Sequence, residues 1–299
     1  MLKRTLYFGN PFYLHAKNKQ LVFKNCETEE EKSCPIEDIG FVILDHRQIT
    51  VTPALIEALT SENVAIVFCN STHHPQGMVL NLDGHHLQSA LFRNQIETTI
   101  PLKKNLWKQT IEAKIENQKL LLKKLGRNFE MLDAYKKKVT SGDTTNCEAV
   151  ASRYYWKNIF DTKGEKFKRL REGKFPNPVL NYGYAILRAA VARALVGSGL
   201  LPTLGIHHRN QYNAYCLADD IMEPYRPFVD EIAVSVYEKN PNEKELTKDI
   251  KRELLQVLVA DVQFSEVKRP LMVGLSQTTA SLARCFSNEE RKISYPKLK

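Results

Sequence analysis

Gly205-Ile-His-His-Arg-Asn-Gln-Tyr-Asn-Ala-Tyr-Cys-Leu-Ala-Asp-Asp-Ile-Met-Glu-Pro-Tyr-Arg-Pro227 is the stretch around which the rest of the chain is organised. It sets the adjacent histidines His207 and His208 a short way before Asp219, Asp220 and Glu223. Asp220 and Glu223 stand at i and i+3, so on a helix they leave from one face. An imidazole nitrogen converging with carboxylate oxygens can hold a divalent cation, and ions of the magnesium or manganese type favour oxygen-rich sites. The plainer reading is a helix with solvated acids and one histidine hydrogen-bonded in the core. Pro224 follows Glu223 directly and disfavours α geometry there, so a kink or a new helix is expected.

Upstream, Asn146-Cys-Glu-Ala-Val-Ala-Ser-Arg-Tyr-Tyr-Trp156 has helical character, with mostly small or apolar neighbours on the side of Glu148. Taken alone, Thr145-Asn-Cys-Glu148 fits a capping box, in which Glu148 reaches back to the backbone of its own N-cap. Taken with the Gly205 stretch, Glu148 is a third candidate ligand.

The chain has 299 residues, 43% of them apolar, enough for one large domain or two ordinary ones with a real core. A formal charge of +9 points to an acidic partner, of which nucleic acid is the commonest. An anionic membrane surface is the competing explanation, but no run approaches the ~20 apolar residues of a membrane span. The opening Met1-Leu-Lys-Arg-Thr-Leu-Tyr breaks quickly into Asn and Pro, unlike a signal peptide. Six scattered cysteines without a C-x-x-C pair make neither a zinc ribbon nor a disulfide framework, which suits a reduced, cytoplasmic setting. Cys147 reads as a small apolar filler. The absence of a Gly-rich phosphate loop disfavours a kinase or nucleotide hydrolase.

Residues 1–87 read as β-rich. Thr5-Leu-Tyr-Phe, Gln20-Leu-Val-Phe, Gly40-Phe-Val-Ile-Leu and Val64-Ala-Ile-Val-Phe are short branched or aromatic runs. Thr52-Pro-Ala-Leu-Ile-Glu-Ala-Leu predicts one short helix, with Thr52 as N-cap and Pro53 at the first position. His73, His74, His85 and His86 lack ligand spacing and read as surface histidines. Residues 88–100 are expected to form a linker, and the remainder, 101–299, is helical throughout. There Trp107, Ile111, Ile115, Gln118, Leu122 and Leu125 fall on one face, with Gly126 as the C-cap. The outer face is assigned Lys103, Lys104, Lys114, Lys119, Lys123 and Lys124, as a solvated surface or a phosphate track.

Lys163–Lys174 is the densest basic segment, with six Lys or Arg in twelve residues, suited to holding a nucleic-acid backbone. Asn181-Tyr-Gly-Tyr184 opens a long helix to about Val196 that carries Arg188 and Arg193. Residues 243–258 have a helical pattern. The tail 288–299 shows no core face and is expected to fray or to contact a partner.

Four segments in order, Glu148–Trp156, Asn177–Tyr184, Gly205–His208 and Asp220–Pro227, resemble those of CRISPR-associated spacer-acquisition integrases, most closely the type II branch. Ile49–Leu59 and Val64–Phe68 are similar to the opening domain of that family. The resemblance implies an α+β chain: a small N-terminal β-rich dimerisation domain followed by a larger all-α C-terminal catalytic domain that also binds DNA. It implies a metal-dependent DNA endonuclease and integrase that inserts captured DNA into a CRISPR array by attack of a 3′-hydroxyl on repeat phosphodiesters. The implied catalytic and metal-binding residues are Glu148, His208 and Glu223, with Mg2+ or Mn2+ as the ion and Asp220 as a nearby acid. Counting from Gly205 selects His208 over His207, although the family usually has an apolar residue at that preceding position. The implied partners are spacer-precursor and repeat DNA, a second copy of the chain, and a small ferredoxin-fold adaptation protein, with no membrane. Without the resemblance, a non-catalytic basic DNA-binding module with structural acids accounts for the same residues.

Overall fold

The strand β5 (Ile39–Leu44, Ile-Gly-Phe-Val-Ile-Leu) is buried along its whole length, as expected of a central strand covered on both faces. It lies parallel between β1 (Arg4–Phe8) and β7 (Ala65–Cys69), and β8 (Pro75–Val79) closes that sheet antiparallel at the edge. Pro75 is tolerated in an edge strand because it has no ladder N–H to supply. A second sheet has the order β4 (Glu31–Pro35), β3 (Gln20–Asn25), β2 (Phe12–Lys17) and β6 (Thr50–Val51). Leu14, Leu21, Ile36, Val42, Leu55 and Ile66 join both sheets and helix α1 (Pro53–Ser61) in one core. Thr52 holds the extended N-cap conformation, but its hydroxyl makes no capping hydrogen bond, so Pro53 and the backbone start α1 without it.

The computed structural model describes residues 3–160, 167–240 and 243–299. It divides into two compact units, Met1–His86 and Leu87–Lys299. The segment expected as a linker is instead mostly helix α2 (Gln88–Glu97). Its buried Gln95 donates to the carbonyls of Leu201 and Leu204 and accepts from the Leu201 N–H, which fixes α2 within the second unit.

Two long helices frame that unit. The first is α3 (Ile100–Lys124), capped by Thr99 and followed by Gly126 at φ +65°. The second is α6 (Asn177–Gly197), buried among α7 (Cys216–Met222), α8 (Arg226–Lys239), α9 (Lys248–Leu255) and α10 (Leu271–Phe286). Gly183 lets α6 approach α8, since a Cβ there would run into Val229. By length and composition α6 could cross a membrane, contrary to the expectation that no run comes near; 72% of its apolar window is buried in the unit. The shorter α4 (Glu130–Lys137) and α5 (Cys147–Asn158) pack on α3. The unit is not wholly helical, because β9 (Asp261–Phe264) and β10 (Val267–Pro270) form a hairpin before α10.

The tail does not fray. Ile293 and Leu298 are buried, Lys297 pairs with Gln263 beside β9, and the Tyr295 hydroxyl meets that of Thr110 at 2.9 Å. Asn117 of α3 is the clamp: Nδ2 donates to the carbonyls of Pro224 (2.7 Å) and Pro296 (3.0 Å), while Oδ1 accepts from the Leu298 N–H (3.0 Å). Asn117→Ala would strand three buried backbone groups and should destabilise the protein by about 2–4 kcal/mol in urea denaturation. A loss below about 0.5 kcal/mol would show that the tail is not held by this residue.

Candidate functional site

One face of α3 builds the site. Trp107, Lys114 and Asn117 are all buried, although Lys114 was expected on the outer face. The reason is local: the Lys114 ammonium contacts Glu148 Oε1 and lies 2.7 Å from Glu223 Oε2. Burial alone would lower its pKa, but the charges of Glu223 and Glu148 outweigh that and raise it. Lys119, from the same expected track, pairs instead with Glu116 and Asp133. Lys104, Lys123 and Lys124 remain exposed.

Glu148 sits in the first turn of α5. The expected capping box is not what holds it. Asp143 accepts from the Cys147 and Glu148 N–H groups, both at 2.9 Å, and Thr145 turns to the Lys138 carbonyl and the Cys147 sulfur. Freed from capping, the Glu148 carboxylate takes Lys114 and the Ser152 hydroxyl, the latter at 3.0 Å. Burial pushes its pKa up, yet Lys114 holds it below the usual carboxylate range.

Glu223 follows α7 in a tight helical turn, Glu223–Tyr225, before α8 begins at Arg226. The new helix expected at Pro224 is present, yet Glu223 itself keeps helical dihedrals. Its carboxylate is buried between Lys114 and Arg226, whose guanidinium lies 2.9 Å from Oε1. Oε2 faces the Lys114 ammonium but receives no directional hydrogen bond. Burial would raise this acid, and Arg226 and Lys114 together lower it. Both acids are thus held toward the charged form and share Lys114, with Arg226 as a second partner of Glu223.

Asp220 and Glu223 part company. Asp220, fully buried, accepts from the N–H groups of Ile206 (2.7 Å), His207 (3.0 Å) and His208 (3.2 Å), and from His208 Nδ1 (2.6 Å). Rather than a spare acid near an ion, it is the peg around which the histidine loop is wound. Gly205 is required for that winding, because a Cβ there would lie 2.8 Å from Asp220 Oδ2 and collide with the His208 carbonyl. With Nδ1–H donated to Asp220, neutral His208 presents the Nε2 lone pair outward from a side chain 44% exposed. That hydrogen bond, the largest influence, raises the His208 pKa against burial, and the charges of Asp220 and Glu223 add to it. His207 has another job: its ring stacks on Trp107 at 4.1 Å and 2°, and burial lowers its pKa. Asp219 is taken by Arg188, through bonds of 2.6 and 3.0 Å, and by Asn213.

Behind Glu223 the support continues. Arg226 lies over the Tyr184 ring at 4.9 Å, and the hydroxyls of Tyr184 and Tyr155 both donate to buried Asp230. The tyrosines of two sequence motifs are therefore fasteners that tie α5 and α6 to α8. Arg169 also covers Tyr184 and donates to Asn177 and Asn181, so this member of the basic segment faces inward. Lys168, Arg171 and Lys174 are exposed, and Lys163 and Lys166 lie outside the described residues.

Among the described residues, no three His, Cys, Asp or Glu side chains are assembled as a ready cation site. The chemistry of the donors nonetheless suits a hard divalent ion: two ionised carboxylates about one cation, an oxygen lacking a hydrogen bond, and an imidazole oriented by a buried acid. Of the residues expected at the site, Glu148 and Glu223 meet at Lys114 and His208 is held by Asp220; the supporting Lys114, Asp143, Arg226 and Asp230 were not foreseen in these roles from the sequence. For Asp143 a signal existed, since an acid just before a helix is a capping residue.

Asp220→Ala should destabilise the protein by roughly 2–4 kcal/mol in urea, since it strands three backbone N–H groups; unchanged stability would contradict its role as the peg. A second expectation concerns pH. Burial pushes Asp230 up from 3.8 to about 6, against the two tyrosine hydroxyls. The folded carboxyl therefore binds its proton more tightly than the unfolded one, and this group adds stability below its unfolded value that fades as pH rises through about 6. Melting scans from about pH 4 to about pH 7 should show wild type losing ground to Asp230→Asn; a gap independent of pH would contradict this.

Known proteins share this architecture. A family model described as "CRISPR associated protein Cas1" matches residues 6–260. The CRISPR-associated endonuclease Cas1 of Neisseria meningitidis serogroup C (strain 8013) is 36% identical over 294 residues, 98% of this chain and 95% of that protein. Among solved structures, a casposase bound to integration product superposes with a TM-score of 0.80 at 20% identity, covering 98% of this chain and 93% of that one. A chain of a Cas6-RT-Cas1–Cas2 complex superposes at 0.76 and 20% identity, covering 99% of this chain and 36% of that one. At these identities the two structures speak for the fold.

Proposed function

The chain belongs to the Cas1 family of CRISPR-associated proteins, and from that premise we propose that it inserts captured DNA as new spacers into a CRISPR array. The observation that carries this reading is the pair of glutamates, buried Glu223 and half-buried Glu148, closed on the Lys114 ammonium beside an oriented His208. Such a group matches what phosphodiester transesterification needs. A DNA 3′-hydroxyl attacks phosphorus, one P–O bond forms and one breaks, and a 3′-hydroxyl leaves, so no energy cofactor enters. Glu148, Glu223 and His208 Nε2 are the residues that would hold Mg2+ or Mn2+, which when bound supplies Lewis-acid stabilisation of the phosphate under attack. Asp220 keeps the His208 imidazole in the right tautomer, and Lys168, Arg171 and Lys174 supply positive charge for the DNA backbone. The reverse transesterification would open branched DNA, and with water in place of the 3′-hydroxyl as the attacking group the same site would cut DNA as an endonuclease.

Spacer insertion needs two strand transfers, one at each end of a repeat. One chain carries one set of candidate ligands, which supports a dimer using the β-rich unit and a small Cas2-type partner. The second reading, a binding module with structural acids, draws on the absence of an assembled three-ligand cluster among the described residues. Only the integrase reading requires Glu148, His208 and Glu223 for chemistry.

Glu148→Ala, His208→Ala and Glu223→Ala should each lower Mn2+-dependent strand transfer into a repeat-bearing plasmid on the order of a hundredfold or more. DNA binding should survive in all three, and full activity in any of them would sink the assignment. For the basic segment, replacing Lys168, Arg171 and Lys174 by Gln should flatten the salt dependence of duplex binding. The log–log slope should fall by about 0.9 for each phosphate no longer neutralised. Arg169→Gln should instead lower stability. An unchanged slope in the triple variant would return that segment to an ordinary solvated loop.

A further inference from the structure

A buried carboxylate beside a half-buried one calls for positive charge, and here the chain supplies its own. Lys114 is 5% exposed and reaches from α3 to the point that Glu148 and Glu223 share. The ammonium faces Glu223 Oε2 at 2.7 Å as an ion pair, with the angle of a hydrogen bond not met. Each carboxylate has a second partner besides Lys114: the Ser152 hydroxyl donates to the same Glu148 oxygen that Lys114 contacts, and Arg226 pairs with the other oxygen of Glu223. One turn along α3, Asn117 grips the Pro224 carbonyl, so the backbone beside Glu223 is fixed whether or not the lysine stays. A lysine ammonium is a compact charge on a flexible four-carbon stem, able to withdraw where a guanidinium fork is less free to do so.

Building on the ion site of the proposed function, we propose that Lys114 is a tethered counter-ion: a positioning residue that occupies the shared cation point of Glu148 and Glu223 in the metal-free protein and yields it to the divalent ion. It keeps the two acids in place before the ion arrives, and the energy of displacing it weakens ion binding.

The test titrates full-length protein with Mn2+ by calorimetry at about pH 8, where neither acid takes a proton in place of the lysine. Lys114→Met, of similar length and without charge, should bind Mn2+ roughly tenfold more tightly than wild type, because no ammonium competes. Its metal-free melting temperature should be lower and the rise produced by Mn2+ larger. Lys114→Arg, which keeps the charge in a form less able to leave, should bind Mn2+ more weakly than wild type. A spectator lysine that merely filled space would shift the melting temperature but not these affinities. Should Lys114→Met not fold, Lys114→Arg and a side-chain 15N-lysine spectrum of wild type decide the matter. Mg2+ should then move the Lys114 ammonium resonance, and an unmoved resonance at saturation overturns the proposal. Wild type that binds Mn2+ no more weakly than Lys114→Met overturns the proposal alone. Absence of binding by both proteins overturns it together with the ion site itself.

Discussion

Glu223 can be buried beside the half-buried Glu148 only because positive charge sits between and beside them. Removing one partner of such a buried group costs about 3–5 kcal/mol, since the other charges are left without compensation. That constraint explains why α3 is so long and so placed. It must deliver Lys114 to the acids while Trp107, two turns earlier, stacks on His207, and Asn117, one turn later, clamps Pro224 and the tail. The helix is at once the wall of the site and the spine of the unit. Its apolar residues Ile111, Ile115 and Leu122 hold it in the core, so the functional face is positioned by ordinary packing.

The site is supported in two directions from this charge cluster. Toward the histidines, Asp220 gathers three backbone N–H groups and one imidazole, converting a loop of little regular structure into a fixed mount. Away from them, Arg226, Tyr184, Asp230 and Tyr155 link the Glu223 turn to α6 and α5. The motifs that carried the family resemblance are therefore of two kinds. Glu148, His208 and Glu223 are the candidate ligands, whereas Tyr155, Tyr184 and Gly205 make the frame that holds their segments in place.

Much of this was legible in the sequence where periodicity or spacing encodes it. The β-rich start, the apolar stripe of α3 with Gly126 at its end, and the long α6 follow from local pattern. What was not legible depends on partners far away in the chain. Lys114 looks like one more surface lysine until two acids from α5 and the turn after α7 close on it. Asp230 carries no local signal, because the tyrosines that use it belong to other helices. β4 is short and polar, as an edge strand can be, and so leaves no apolar run in the sequence. The tail lacks an amphipathic face and is held largely through backbone groups, which side-chain patterns do not report. Thr145 fitted a capping motif, yet the left-handed turn at Asp143–Asn146 put the Asp143 carboxylate at the helix end instead.

The most direct measurement is anomalous diffraction from a crystal of the full-length protein soaked in Mn2+. The account predicts a manganese peak at the point shared by Glu148 and Glu223, within reach of His208 Nε2, with the Lys114 ammonium withdrawn from both carboxylates. A manganese peak elsewhere, or a saturated crystal in which Lys114 still bridges the two glutamates, would contradict it.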